Sequence, residues 1–398
     1  MIRRTLANKL REAVARFPVV TVTGPRQSGK TTLVRSEFKD YIYVSLELID
    51  QLAFALEDPR GFLAQFEGPV ILDEAQRAPK LFSYIQGIVD ERDHPGQFIL
   101  TGSHNFLLLQ QLCQSLVGRS ALFHLLPFSL AELSGRPPLS LDTFGHELPH
   151  TEEVHRTDLL DLMFTGFYPR IHDKGLPPRD WLGAYYQINL ERDLRNVLDS
   201  GNFELFGRFV RLCAGRNGQL LNLPGLAADC GISHTTATRW LSMLQSSFLV
   251  MLLRPHVQSF GKRLIKSPKL YFLDTGLLCY LLRVQNTEEL SQHEAREAIF
   301  ESFVLAELHK NFLNRGEPPG LSFWRDSSGH EIDIVIDMGS RLIPVETRSA
   351  QTIAGDFFKG LKYWHALRGK TGRGGALVYG GDRAFRRHGA VVYPWFAL

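Results

Sequence analysis

The segment VVTVTGPRQSGKTTLV has the residue types and the spacing to hold a polyphosphate. Gly24, Gly29, Lys30 and Thr31 fill the pattern GxxxxGK[ST], placed between an apolar, β-branched strand and the start of a helix. Glycines let such a loop turn back on itself, so that backbone N–H groups and the positive end of the helix face the phosphates. The expected cradle is Gly24, Pro25, Arg26, Gln27, Ser28, Gly29, Lys30, Thr31 and Thr32. Lys30 would reach the β- and γ-phosphates, and the Thr31 hydroxyl would be a Mg²⁺ ligand, which makes ATP and ADP with Mg²⁺ the expected small-molecule partners.

A second buried strand, in GPVILDEAQ, ends in two carboxylates. At the C-terminal edge of a parallel sheet, where the phosphate loop also opens, Asp73 would hold the Mg²⁺ shell and Glu74 would orient an attacking water. A third strand, in QFILTGS, ends in Thr101 and Ser103, whose hydroxyls could reach the γ-phosphate or that water. The bland reading of Asp73 and Glu74 is a helix N-cap, and the phosphate loop upstream favours the catalytic one.

GPRQSGKTTL, VILDEAQ, FILTGS, SLVGR and LLPFSLAEL resemble the AAA+-type ATPase domain of a widespread prokaryotic family of predicted ATPases, whose members carry a C-terminal domain of unknown function. TGFYPR, YYQINLERDLRNV and SPKLYFLDTGLL resemble later blocks of the same family, so the likeness spans most of the chain. It implies an arginine from a neighbouring subunit or a mobile segment, and it puts Arg119 in that role; a finger from a neighbouring subunit would require self-association, but the resemblance does not establish a ring assembly. A surface or capping arginine is the alternative reading of Arg119, and a local salt-bridge network is the reading of Glu191, Arg192 and Asp193.

The elements that must position these residues read as α/β: a phosphate-loop, AAA+-like parallel-sheet domain (1–132), a linker with a helical lid (133–200), a winged helix-turn-helix (201–285) and a restriction-endonuclease-like α/β domain (286–398). The N-terminal MIRRTLANKLREAVARF has Leu6, Leu10, Val14 and Phe17 at helical spacing and reads as a docked helix rather than a presequence. From Leu133 to His150 the residues Pro, Gly and Ser predict a loop outside the core. LPGLAADCGISHTTATRW has the grammar of two helices about a Gly231 turn, with Ser233 capping a helix that carries Thr236, Arg239 and Trp240, and with FLVMLL and KLYFL as strands of a wing.

Between residues 205 and 275 nine basic residues face two acidic ones, a net of +7, against −4 for the rest of the chain. This predicts a polyanion-facing surface with duplex DNA as the partner, contacted by Arg239, Lys262, Arg263, Lys266 and Lys269; a solvated face or a seam to an acidic neighbour is the alternative. In HEIDIVIDMGSRLIPVETRSA, a Gly339-Ser340 turn pairing Met338 with Arg341 places Asp333 opposite Glu346 and Glu331 opposite Arg348. Ile332, Ile334, Ile336, Ile343 and Val345 then fill the other face. The layout resembles the P-D-(D/E)-x-K nuclease fold, with Glu301, Asp333 and Glu346 as a second metal site, but the motif lysine is Arg348 here. That departure favours a retired nuclease over a working one.

Length and composition set the frame. A chain of 398 residues with 44% hydrophobic and 22% charged residues is globular and has several domains. Its longest apolar run, Phe248 to Leu253, is far below the ~18 residues of a membrane span, which predicts a soluble protein. Cys113, Cys213, Cys230 and Cys279 lack metal-ligand spacing and point to a reducing, cytoplasmic setting. The reading is an ATPase acting slowly as a conformational switch in association with DNA. An ATP-controlled metal-dependent nuclease and an ATP-gated protein-interaction scaffold are the alternatives.

Overall fold

The computed structural model describes residues 2–103, 116–149, 158–190, 203–256, 265–368 and 374–398. Cys113, Glu191, Arg192, Asp193, Lys262 and Arg263 lie outside them. The chain divides into two compact units, one of Met1–Phe128 with Ser246–Phe248 and Phe312–Pro318, the other of Ser129–Gln245, Leu249–Asn311 and Pro319–Leu398.

In the first unit the strands are β1 (Val19–Thr23), β2 (Ile42–Ser45), β3 (Val70–Asp73), β4 (Phe98–Gly102) and β5 (Ser120–His124), in the order β2-β3-β4-β1-β5. Their recorded pairings are all parallel. β1, β3 and β4 are buried along their whole length, as expected of strands covered on both faces. Val70, Leu72 and Leu100 join one apolar cluster, while Val20, Val22, Ile71 and Ile99 join another. The helix Ala7–Val14 is docked as expected: Leu6 and Leu10 are fully buried in the second cluster. Phe17, beyond the helix end, is exposed instead.

In the second unit, the strands read as a wing are β6 (Val250–Leu253) and β7 (Lys269–Phe272), paired antiparallel. The helices Phe203–Ala214, Leu223–Cys230 and His234–Ser246 precede them. Gly231 takes φ +76°, and the Ser233 hydroxyl accepts from Thr236 N at 3.1 Å. Trp240 is core, not surface, and lies edge-on to Phe206 and Phe209.

The remaining strands are β8 (Leu321–Arg325), β9 (Glu331–Asp337), β10 (Leu342–Arg348), β11 (Ala376–Tyr379), β12 (Phe385–Arg387) and β13 (Ala390–Pro394), in the order β12-β13-β11-β10-β9-β8. β9 and β10 pair in the expected register, Leu342 with Asp337 through Val345 with Ile334, about a turn in which Met338 N donates to Arg341 O.

The open edge of β8 is used: His256 N donates to Phe323 O, Phe323 N to Arg254 O and Ile265 N to Arg325 O. The segments flanking β6 and β7 are therefore tied to the C-terminal sheet. The segment read as a loop outside the core supplies fully buried Leu141 and Phe144, and Phe144 packs on Tyr393 with ring centroids 4.6 Å apart. The helices Leu159–Thr165, Pro169–Lys174 and Pro178–Tyr185, read as a lid over the nucleotide domain, find their partners inside the second unit. Tyr168 packs its ring at a tilt against Trp181 and Tyr185, and Phe167 N donates to Asp274.

Candidate nucleotide site and an acidic sheet face

The phosphate loop leaves β1 at Thr23 and enters the helix Lys30–Glu37. Gly24 has φ +152°, and a Cβ there would stand 2.1 Å from Leu125 O, so only glycine fits between β1 and the segment after β5. Gly29, at φ +93°, forms the helix N-cap. Pro25 and Ser28 are buried, Arg26 is half-buried, and Gln27 and Thr32 are exposed. Lys30 is buried, and its ammonium donates to Gly24 O at 3.1 Å and Pro25 O at 2.8 Å. Burial lowers its pKa to about 8, against the pull of Glu74 and Asp73. The cation thus rests on loop carbonyls, in the position from which it can turn to a phosphate.

Register brings the carboxylates to the same edge, since β3 and β1 both run parallel to β4. The Thr31 hydroxyl donates to both Asp73 oxygens at 3.0 and 3.1 Å. Asp73 also accepts from Tyr43 OH at 2.8 Å and from the Thr101 hydroxyl. The Tyr43 phenol is pushed up to about 12, by burial first and then by its bond to Asp73. Glu74 has φ +55°, an uncommon conformation for a residue with a Cβ, and it turns the chain out of β3. Its carboxylate accepts from Gln76 Nε2 at 2.6 Å and from the Ser103 hydroxyl. Lys30, Thr31, Asp73, Glu74, Thr101 and Ser103 therefore converge at one edge.

Tyr43 and Gln76 were not singled out in the sequence. Gln76 lies two residues after Glu74 in a segment already of interest, whereas only the pairing of β2 with β3 brings Tyr43 to Asp73. Arg119 is not brought to this chain's own loop. Its carbonyl accepts from Val19 N, at the opposite edge of the sheet, about 17 Å away along a five-residue strand. Its guanidinium pairs with Asp90, with Nη2 2.8 Å from Oδ2.

In the second unit, the acidic face expected of β9 and β10 forms, but cations occupy it. Arg348 bridges Asp333 and Glu346, 3.1 Å from each, and Thr347 N donates to Asp333 at 2.9 Å. Lys269 is 4% exposed rather than facing a phosphate backbone: its ammonium lies 3.2 Å from Glu301 and also pairs with Glu331, which takes Arg325 at 3.0 Å. Burial works against the Lys269 charge, but Glu301, Asp333 and Glu331 outweigh it and raise its pKa. Glu301, which also accepts from Tyr271 OH, is raised to about 7, chiefly by burial. Glu346 is pushed well above the carboxylate range, by burial first and Asp333 second. A Cβ at Gly360 would stand 2.0 Å from Glu346 Oε1, so backbone covers that carboxylate.

Among the described residues no group of three His, Cys, Asp or Glu side chains could hold a metal, which corrects the expectation for Glu301, Asp333 and Glu346. Of the basic stretch, Arg216 pairs with Asp229, while Arg239 and Lys266 are exposed. No helix among the described residues is long and apolar enough to cross a membrane.

Three family models match: the AAA domain over residues 16–134, a domain of unknown function (DUF8612) over 156–288, and a domain of unknown function (DUF4143) over 296–398. Among solved structures, the chain resembles the Walker-type ATPase PABY2304 of Pyrococcus abyssi at 15% identity and TM-score 0.45, over 71% of this chain and 96% of that one. It also resembles the RuvB Holliday junction branch migration motor of Thermotoga maritima at 17% identity and TM-score 0.30, over 63% and 88%. Those two likenesses carry no argument about what this chain binds. Two curated relatives, the uncharacterized proteins Rv2008c of Mycobacterium tuberculosis and Mb2031c of Mycobacterium bovis, are each 32% identical over 351 residues, 88% of this chain and 74% of the relative. With that identity and coverage, and with an AAA domain around its phosphate loop, the chain belongs to the family of Rv2008c and Mb2031c.

Proposed function

We propose that the first unit binds ATP with Mg²⁺ and hydrolyses it slowly, as a conformational switch. The observation that carries this is the convergence of Lys30, Thr31, Asp73 and Glu74 at the C-terminal edge of a parallel sheet. Lys30 exchanges two carbonyl partners for phosphate oxygens. The Thr31 hydroxyl and the Asp73 carboxylate, 3.0 Å apart, are the hard oxygen donors that suit Mg²⁺, and they would hold it there. Bound Mg²⁺ would neutralise charge on the phosphates. Glu74, fixed by Gln76 and Ser103, orients the attacking water, and Thr101 keeps Asp73 in place.

A titration of the full chain with ATP and Mg²⁺, followed by phosphate release, tests the reading. ATP should bind and turn over in the wild type, and Lys30→Ala should lose affinity by about tenfold or more. A wild type that binds no ATP would end the proposal. Contact with duplex DNA would use exposed Arg239 and Lys266 together with Lys262 and Arg263, which lie outside the described residues, while Lys269 is held by carboxylates. A working nuclease is disfavoured by the Arg348 bridge.

A further inference from the structure

We propose that Arg4 is a positioning residue of the phosphate loop, holding the Ser28 peptide in the orientation that turns the Gly29 N–H toward a bound phosphate. The inference rests on the nucleotide reading above and deepens it. Arg4 is 7% exposed. One guanidinium nitrogen donates to Ser28 O at 2.6 Å, the other to Leu126 O at 2.6 Å, and the planar group lies over the Phe128 ring, 4.9 Å from its centroid. These contacts join the N-terminal segment, the loop and the chain leaving β5.

The consequence follows from peptide geometry. In a planar trans peptide the C=O and the next N–H point in opposite directions. With the Ser28 carbonyl pinned to Arg4, the Gly29 N–H must point away from Arg4. Gly29 has φ +93°, and with no Cβ to restrict it the peptide before it could rotate if nothing held it. The same wall meets the loop at its other end, because Gly24 abuts Leu125 O and Leu125 N donates to Thr23 O at 2.7 Å. Arg4 closes this clamp at Ser28 with bonds from a charged donor, about twice as strong as neutral ones. The planar, pre-organised fork holds two carbonyls at fixed positions with less loss of side-chain freedom than an ammonium on a flexible stem would suffer.

Arg4 itself is well anchored. Ala7 N donates to Arg4 O at 3.2 Å, and Leu6, Ala7 and Leu10 are fully buried behind it. Its position thus follows from the docking of the N-terminal helix on the sheet.

The test uses the full chain with Arg4→Ala and Arg4→Lys, ATP and ADP titrated in the presence of Mg²⁺, steady-state turnover, and melting by circular dichroism. Arg4→Ala should bind both nucleotides about tenfold more weakly, with KM rising more than kcat falls, because a loosened loop costs ground-state phosphate binding first. Arg4→Lys should recover part of that affinity and decides the matter if Arg4→Ala does not fold. Wild-type nucleotide affinity in either folded variant would overturn the inference. So would an equal loss in both variants that follows a common drop in Tm. A wild-type chain that fails to bind ATP would sink the nucleotide reading itself, an outcome distinct from either.

Discussion

The edge of the first sheet and the face of β9 and β10 both set carboxylates near a lysine, yet they are disposed in opposite ways. At Asp73 and Glu74 the described partners are hydroxyls and an amide: Thr31, Tyr43 and Thr101 on one, Gln76 and Ser103 on the other. Hydroxyls orient a carboxylate without cancelling its charge, and Lys30 is parked on loop carbonyls. At Glu301, Glu331, Asp333 and Glu346 the partners are Lys269, Arg325 and Arg348, held in ion pairs. Charge left unneutralised can still attract a cation or polarise water, whereas charge already paired and buried serves cohesion.

The largest expected effect breaks the first side of that contrast. Glu74→Gln keeps the size of the side chain and removes its charge, so ATP should still bind while turnover falls by about a hundredfold or more, in the range of a lost water-activating group. Equal turnover in wild type and Glu74→Gln, followed by phosphate release, would remove Glu74 from the chemistry.

The second side breaks through Asp333→Ala, which leaves Arg348 half-paired beside buried Glu346. The second unit should lose about 3 kcal/mol, the low end of what breaking a buried pair costs, as read by denaturant melting. The wild type should cleave DNA with neither Mg²⁺ nor Mn²⁺, because Arg348 occupies both carboxylates and cannot give up its proton. Robust metal-dependent cleavage that disappears in a folded Asp333→Ala would reverse the assignment of this face.

The smallest effect sharpens the contrast by pH. Glu301 holds its proton to about 7 in the fold, above the ordinary carboxylate value of 4.5. Between those values the folded chain binds more protons than the unfolded one, so stability from this group falls as pH rises from about 4.5 to 7 and is flat above. The second unit should therefore become less stable across that window, and Glu301→Gln should flatten the slope. Melting curves whose slope is the same in wild type and Glu301→Gln would show that Lys269 keeps Glu301 charged throughout.

Much of this was legible in local pattern. The GxxxxGK[ST] spacing located the loop, and apolar runs ending in polar residues located the strand ends. The Gly339-Ser340 turn with period-two alternation predicted the register of β9 and β10, because a turn fixes which residues face each other and the period fixes which side they take. The opposition of Asp333 to Glu346 could be read from the same alternation, whereas the bridge from Arg348 to both of them emerged in the structure. Lys269 misled because it sits in a basic stretch, and net charge along a sequence says nothing about which member turns inward. Leu141 and Phe144 were hidden by the Pro and Gly around them, although two apolar side chains suffice to seat a strap on a sheet.

The sequence by itself determined the chemistry available at the phosphate loop and the pairing of the C-terminal hairpin, since both depend on glycine conformations and on spacing within a few dozen residues. Only the tertiary structure decided that Tyr43 supports Asp73, that Arg4 reaches Ser28 and Leu126, that Arg119 starts at the far edge of its sheet, and that Lys269 neutralises Glu301 and Glu331. Each of these joins residues distant in the chain. Their meeting is set by strand order, helix docking and the requirement that a buried charge find a partner, none of which a local window contains.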